Sequence, residues 1–274
     1  MCSGWRAAGA ESRSLFRGVD RAPGSSTVQD LRSTWRRMLP FILVAAGSAC
    51  ETSNPVSAPA LATVHLSFAQ STIEVGGATV AIASARDRDG DPIESVAPTF
   101  SSALREVATV DSTSGVIVGI AEGAALITAV IEGVSDRKSL TVLASSIRIN
   151  EIAPNGDRPG GWIELYNASQ DTLDMSGWVV STGDRAHGFP IPETAKIPGL
   201  GYLAVNEGNI PLGLGSVGAL RLFSALGVEV EIEPWSLSSG AAVSFGRCPN
   251  GRGALVELTV ATRKAVNACP PDGV

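Results

Sequence analysis

From Leu61 onward the chain is written in short apolar runs of about four to eight residues, each closed by Gly, Pro or Asp, and this rhythm points to β-structure. Thr63-Val-His-Leu-Ser-Phe68, Ala78-Thr-Val-Ala-Ile-Ala-Ser-Ala85 and Trp162-Ile-Glu-Leu-Tyr-Asn167 alternate with the two-residue period of a strand. Val80 and Ile82 share one face of the second run. Trp162, Glu164 and Tyr166 share one face of the third, with Ile163 and Leu165 on the other. No stretch of 61–144 sustains a helical period. Turn signals recur about every eight to twelve residues, the spacing of antiparallel sandwiches. The 30 glycines and 16 prolines supply the punctuation, and a hydrophobic content of 44% is ample for packed cores and excludes wholesale disorder. At roughly 100–200 residues per domain, 274 residues allow about two domains. The expected fold class is all-β, with two antiparallel β-sandwiches in tandem.

Charge and composition narrow the function. The net charge of −6 hides an asymmetry. Residues 1–37 carry seven Arg against Glu11, Asp20 and Asp30, a net +4, which leaves −10 over residues 38–274. An acidic body repels phosphate backbones, so no nucleic-acid partner is expected. Two His and four Cys leave little material for metal or nucleophile chemistry. Composition therefore leans against an enzyme, and neither cofactor nor metal site is expected. The longest uncharged apolar run, Met38 to Ala49, has 12 residues, short of the roughly 20 that a spanning helix needs.

That run reads as an address. Arg36-Arg37 precede it, small residues end it at Gly47-Ser-Ala49, and Cys50 follows. The arrangement resembles the lipobox of bacterial lipoproteins, with Gly47 where that family prefers Leu. The resemblance implies lipidation of Cys50, a mature chain that starts there, and attachment to a membrane through the lipid. The alternative reading is a plain signal peptide cut near Ala49. Residues 1–30, rich in Arg, Ser and Gly, fit no signal and read as a mis-assigned start or a long leader. Residues 1–49 are thus leader and signal segment, and 50–60, rich in Pro, Ser and Ala, a tether.

Residues 61–144 form the first expected unit. Val75-Gly-Gly77, Asp89-Gly-Asp-Pro92, Thr99-Phe-Ser-Ser102, Val107-Ala-Thr-Val-Asp111, Gly115-Val116 and Gly123-Ala-Ala-Leu-Ile-Thr-Ala129 stand in order. As a set they resemble the bacterial Ig-like group 2 family, with Phe100 where that family usually has Trp. The resemblance implies an immunoglobulin-like sandwich used as a spacer or adhesive module in surface proteins. Asp87, Asp89 and Asp91 alternate as calcium ligands can, but Gly90 is misplaced for an EF-hand loop, and a polar hairpin turn is the simpler reading. His65 reads as a solvent-facing strand residue.

Residues 146–270 form the second. Ile149-Asn-Glu-Ile152, Trp162-Ile-Glu-Leu-Tyr-Asn167, Leu173-Asp-Met-Ser-Gly-Trp178, Ile197-Pro-Gly199, Gly201-Tyr202-Leu203 and Ser244-Phe-Gly-Arg247, with Pro249, Gly251 and Asn267, resemble the lamin tail domain in its bacterial form. That family has an immunoglobulin-like sandwich and occurs in exported multi-module proteins. Where many members carry a Thr-Pro-Gly turn, this chain has Thr262-Arg-Lys264. Asn150, Glu151, Glu164 and Asn167 are candidate binding residues: carboxylates on neighbouring strands can do acid–base work or hold a cation if they meet in a pocket. The bland alternative is cross-strand pairing by Glu164 and satisfaction of backbone groups by the two Asn. Trp235 is a further candidate, read as an exposed loop aromatic. Asp184 and His187 are close enough in sequence to pair, but no nucleophile accompanies them. Cys248 and Cys269 are the only cysteines after Cys50, and an oxidising compartment favours a disulfide between them. Trp178 is expected in the core, as is Trp162, although alternation puts Trp162 on the same face as Glu164.

These readings converge on a non-catalytic, exported envelope protein. Its modules would serve binding, display or adhesion on a lipid anchor, with an unnamed protein or glycan at the cell envelope as partner. An accessory subunit of a secreted hydrolase and a pure spacer are the alternatives. A protease-sensitive boundary is expected near Ala144-Ser-Ser146.

Overall fold

The computed structural model describes residues 60–154, 160–211, 213–237 and 243–271. The leader, Cys50 and nearly all of the tether lie outside them. The first sandwich contains β1 (Leu61–Phe68), β2 (Thr72–Glu74), β3 (Ala78–Asp87), β4 (Thr99–Ser102), β5 (Ala108–Val110), β6 (Val116–Gly119), β7 (Gly123–Ile131) and β8 (Val134–Leu143). They pair as two four-stranded sheets, β1-β3-β6-β5 and β2-β8-β7-β4. One departure from the expected antiparallel pattern is local. After β1 the chain crosses to the opposite sheet for three residues, and there β2 runs parallel to β8, Ile73 opposite Val142. Leu66, Phe100, Ile117, Ile127 and Leu140 are buried between the sheets.

Strand β3 turns its smaller side chains inward. Thr79, Ala81 and Ala85 are buried, while Val80 and Ile82 face solvent. The β5–β6 turn crosses so close to the core that Gly115, at φ +71°, has no space for a side chain: a Cβ would lie 2.5 Å from the Ala81 carbonyl oxygen and 3.0 Å from the Phe100 ring. The Asp87–Asp91 segment is a hairpin turn. Asp87 Oδ1 accepts from the amides of Asp89 (3.0 Å) and Asp91 (2.9 Å), and Gly90 takes φ +88°. His65 is largely exposed, 3.9 Å from Asp136.

The second sandwich contains β9 (Ile147–Ala153), β10 (Trp162–Asn167), β11 (Leu173–Asp174), β12 (Val179–Ser181), β13 (Phe189–Pro190), β14 (Lys196–Ile197), β15 (Tyr202–Asn206), β16 (Val217–Phe223), β17 (Glu229–Ser236), β18 (Ser244–Arg247) and β19 (Leu255–Leu258). Its sheets run β15-β10-β9-β18-β19 and β13-β12-β16-β17, with β11 and β14 as a two-stranded ribbon. Ile149, Ile163, Leu165, Leu220, Leu222 and Trp235 belong to the shared core. The fold class is thus all-β, two immunoglobulin-like sandwiches in tandem.

The tryptophans depart from expectation. Trp235 is not an exposed loop aromatic. It lies in β17, 3% exposed, and its ring packs against Gly218, where a Cβ would meet it at 2.6 Å. The turn-like Pro234 beside it hides the strand in the sequence. Trp178 is only partly buried against the core, whereas Trp162 is fully buried. Cys248 and Cys269 are joined, as the compartment argument expects, with Cα atoms 5.6 Å apart.

Candidate functional site

Strand β10 is buried on both faces. Ile163 and Leu165 enter the sandwich core, while Trp162 and Glu164 lie under an irregular strap, residues 259–269, that follows β19. The strap needs a flat bed, which Gly246 supplies: a Cβ there would come within 2.6 Å of the Asn267 side-chain nitrogen Nδ2. Glu164 stands directly opposite Glu151 on β9, and the next pair is Leu165 with Ile149. The register shift leaves Asn150 as the extra residue of a bulge. Asn150 and Glu151, consecutive in sequence, thereby both reach the strap side.

Two carboxylates opposed across strands repel unless donors surround them. Here the donors come from the strap and its neighbours. Glu151 Oε1 accepts from the Ser244 hydroxyl (2.6 Å) and the Thr262 amide (3.1 Å), and Oε2 from the Thr262 hydroxyl (2.9 Å). Glu164 Oε1 accepts from Asn150 Nδ2 (3.1 Å), and Oε2 from the Lys264 amide. The Asn150 side-chain oxygen accepts from the Gly251 amide at 2.9 Å. Asn267 closes the network, donating Nδ2 to the carbonyls of Arg247 (2.8 Å) and Asn150 (3.2 Å). The Arg263 guanidinium lies 5.8 Å from the centre of the Trp162 ring.

Burial dominates the electrostatics. It pushes the Glu164 carboxyl up to about 7, helped by the Glu151 charge and opposed by the Lys264 and Asn150 donors and by Arg263. Burial also raises Glu151, against the donors Ser244 and Thr262. Both oxygens of each carboxylate are engaged by protein donors, so Asn150, Glu151 and Glu164 form a clamp on the strap.

The fourth candidate, Asn167, is not part of this cluster. At the end of β10 its Nδ2 faces the carbonyls of Asp171 (2.7 Å) and Ile197 (3.0 Å), and its oxygen accepts from the Ser169 amide (2.9 Å). It organises two loops. Asp184 and His187 are exposed, and Asp184 Oδ1 caps a single 3-10 turn by accepting from the His187 amide at 3.0 Å. Among the described residues no three His, Cys, Asp or Glu side chains gather as a metal site. A cleft of about 470 Å³ is lined by Val75, Glu122, Arg148 and Glu231 among others. Glu231 there is engaged by Arg148 at 2.6 Å and Arg247 at 2.8 Å.

The sequence reading missed Ser244, Thr262 and the Lys264 amide as partners of the carboxylates. The signal that finds them is the mixed face of β10: Trp162 and Glu164 side by side demand a cover that is part apolar and part donor.

No family model and no curated protein matches the chain. Among solved structures, domains 4 and 5 of the S-layer protein SbsC are similar at 15% identity over 65% of this chain and 99% of that one, with a TM-score of 0.29. The adhesin InvE of Yersinia pseudotuberculosis is similar at 17% identity over 69% of this chain and 68% of its own, TM-score 0.28. The Escherichia coli adhesin FdeC gives 16%, 74%, 66% and 0.28 in the same order.

Proposed function

We propose that the chain is a non-catalytic display protein of a bacterial cell envelope, exported and anchored through a lipid on Cys50. The first sandwich, read as a bacterial Ig-like group 2 module, acts as the spacer next to the anchor. The second, read as a lamin tail domain, carries the loops that meet a protein or glycan partner. One observation carries the reading: an export-type segment ending at Cys50 and a short Pro/Ser/Ala tether lead directly into two tandem sandwiches. The engagement of Glu151 and Glu164 by strap donors supports it, because their carboxylates serve the fold. Fractionation of the native host tests the anchor: the wild-type chain is expected in the membrane fraction, and Cys50→Ser in the soluble one. Equal partitioning of the two would remove the lipid from the account.

A further inference from the structure

We infer that the two sandwiches form one rigid unit, locked at the junction by Glu74, Gly76 and Ser146, so that the second is held at a fixed angle to the first. Only residues 144–146 separate β8 from β9, and they are held from both sides. The Ser146 amide donates to Glu74 Oε2 at 2.7 Å, and its hydroxyl donates to Glu74 Oε1. Its carbonyl accepts from the Ala168 amide of the second sandwich at 2.8 Å. Glu74 is itself fixed, because β2 is in register with β8, Glu74 opposite Leu143.

A second contact, remote in sequence, braces the first. The turn that follows β2 is tied to its own sandwich by the Gly76 amide, which donates to the Gly119 carbonyl at 2.9 Å. It then abuts the β16–β17 hairpin. A Cβ on Gly76 would lie 2.7 Å from Ser224 Cβ and 2.9 Å from Val230 Cγ2, so these side chains pack directly on the Gly76 backbone and leave no space for one there. Val228 and Val230, residues of the second sandwich, pack against the core of the first. The Ser224 hydroxyl is buried there with no hydrogen-bond partner among the described residues. A three-residue covalent link plus a separate contact made by residues 80 positions further on removes the freedom to hinge. The consequence concerns presentation: whatever the distal loops meet, the spacer sets their direction as well as their distance. This inference stands independently of the lipid anchor and of any partner.

Residual dipolar couplings on the full-length chain test it. Couplings from β7–β8 and from β9–β10 are expected to fit a single alignment tensor, and backbone relaxation to give both sandwiches one rotational correlation time. Two different tensors in the wild-type chain would overturn the inference. Glu74→Ala removes the Ser146 clamp without adding bulk, and elastase cleavage after Ala144 should quicken about tenfold or more, as the open population rises. Gly76→Val wedges the second contact and should split the tensor. If that variant fails to fold because of its φ of +81°, Val230→Ala, which thins the same contact, should quicken the same cleavage. Unchanged cleavage in both Glu74→Ala and Val230→Ala would contradict the lock.

Discussion

Glu164 couples the fold to protons. Its carboxyl holds a proton up to about pH 7 in the folded protein, whereas an unfolded chain releases it near 4.5. Folding therefore takes up a proton between those values, and stability falls as pH rises through that window. Denaturant unfolding of the wild-type chain from pH 4.5 to 7.5 should show this decline. Glu164→Gln should flatten it, leaving a smaller slope of the same sign from Glu151 and Glu233, which burial also raises. An unchanged slope in Glu164→Gln would remove Glu164 as its source. Trp162, on the same strand face, supplies the apolar part of the clamp. Fully buried under the strap, it should cost about 3–5 kcal/mol of stability when cut to Ala, and the half-buried Trp178 clearly less. Paired thermal melts read the order, which is the reverse of what strand alternation suggests.

At the scale of elements, the strap is the part that the sequence concealed. Strand positions were legible because the two-residue period and the Gly and Pro punctuation act locally: β1, β3 and β10 fall where alternation places them. Which face turns inward is a tertiary matter. In β3 the alanine face is inside because the opposite sheet fills that space with Phe100 and its neighbours, and side-chain size alone would choose Val80 and Ile82. In β10 both faces are covered, so alternation identifies two faces without saying that a segment a hundred residues later closes over one of them. The Asn150–Glu151–Glu164 grouping was legible, but its donors were not, since Thr262 and Lys264 act largely through backbone amides that no motif marks. The disulfide followed from compartment and count. It closes a loop with a sequence separation of 21. Replacing both cysteines by Ser should cost ~3 kcal/mol in the chain-entropy model. Strap amides such as Lys264 should then exchange hydrogen faster while those of β7 stay protected. Equal protection in both proteins would mean that the carboxylate clamp holds the strap alone.

For the whole molecule, the proposed function is that of a directed display device. A segment with the character of an export signal ends at Cys50, a short tether follows, and two sandwiches are joined by a clamped three-residue link. A rigid junction of the kind inferred above would fix the direction of the second sandwich relative to the first, which a flexible linker would not do. Under the proposed anchor on Cys50, the sandwich with the mixed-face clamp would be the outer one and its surface the one offered to a partner. The display role depends on the chain being cut and anchored at Cys50, whereas the rigid junction does not. Intact-mass and peptide mass spectrometry of the protein purified from its native membrane tests that most directly. The account predicts a first residue of Cys50 carrying the added mass of a diacylglyceryl group, and an unmodified first residue at any other position would contradict it.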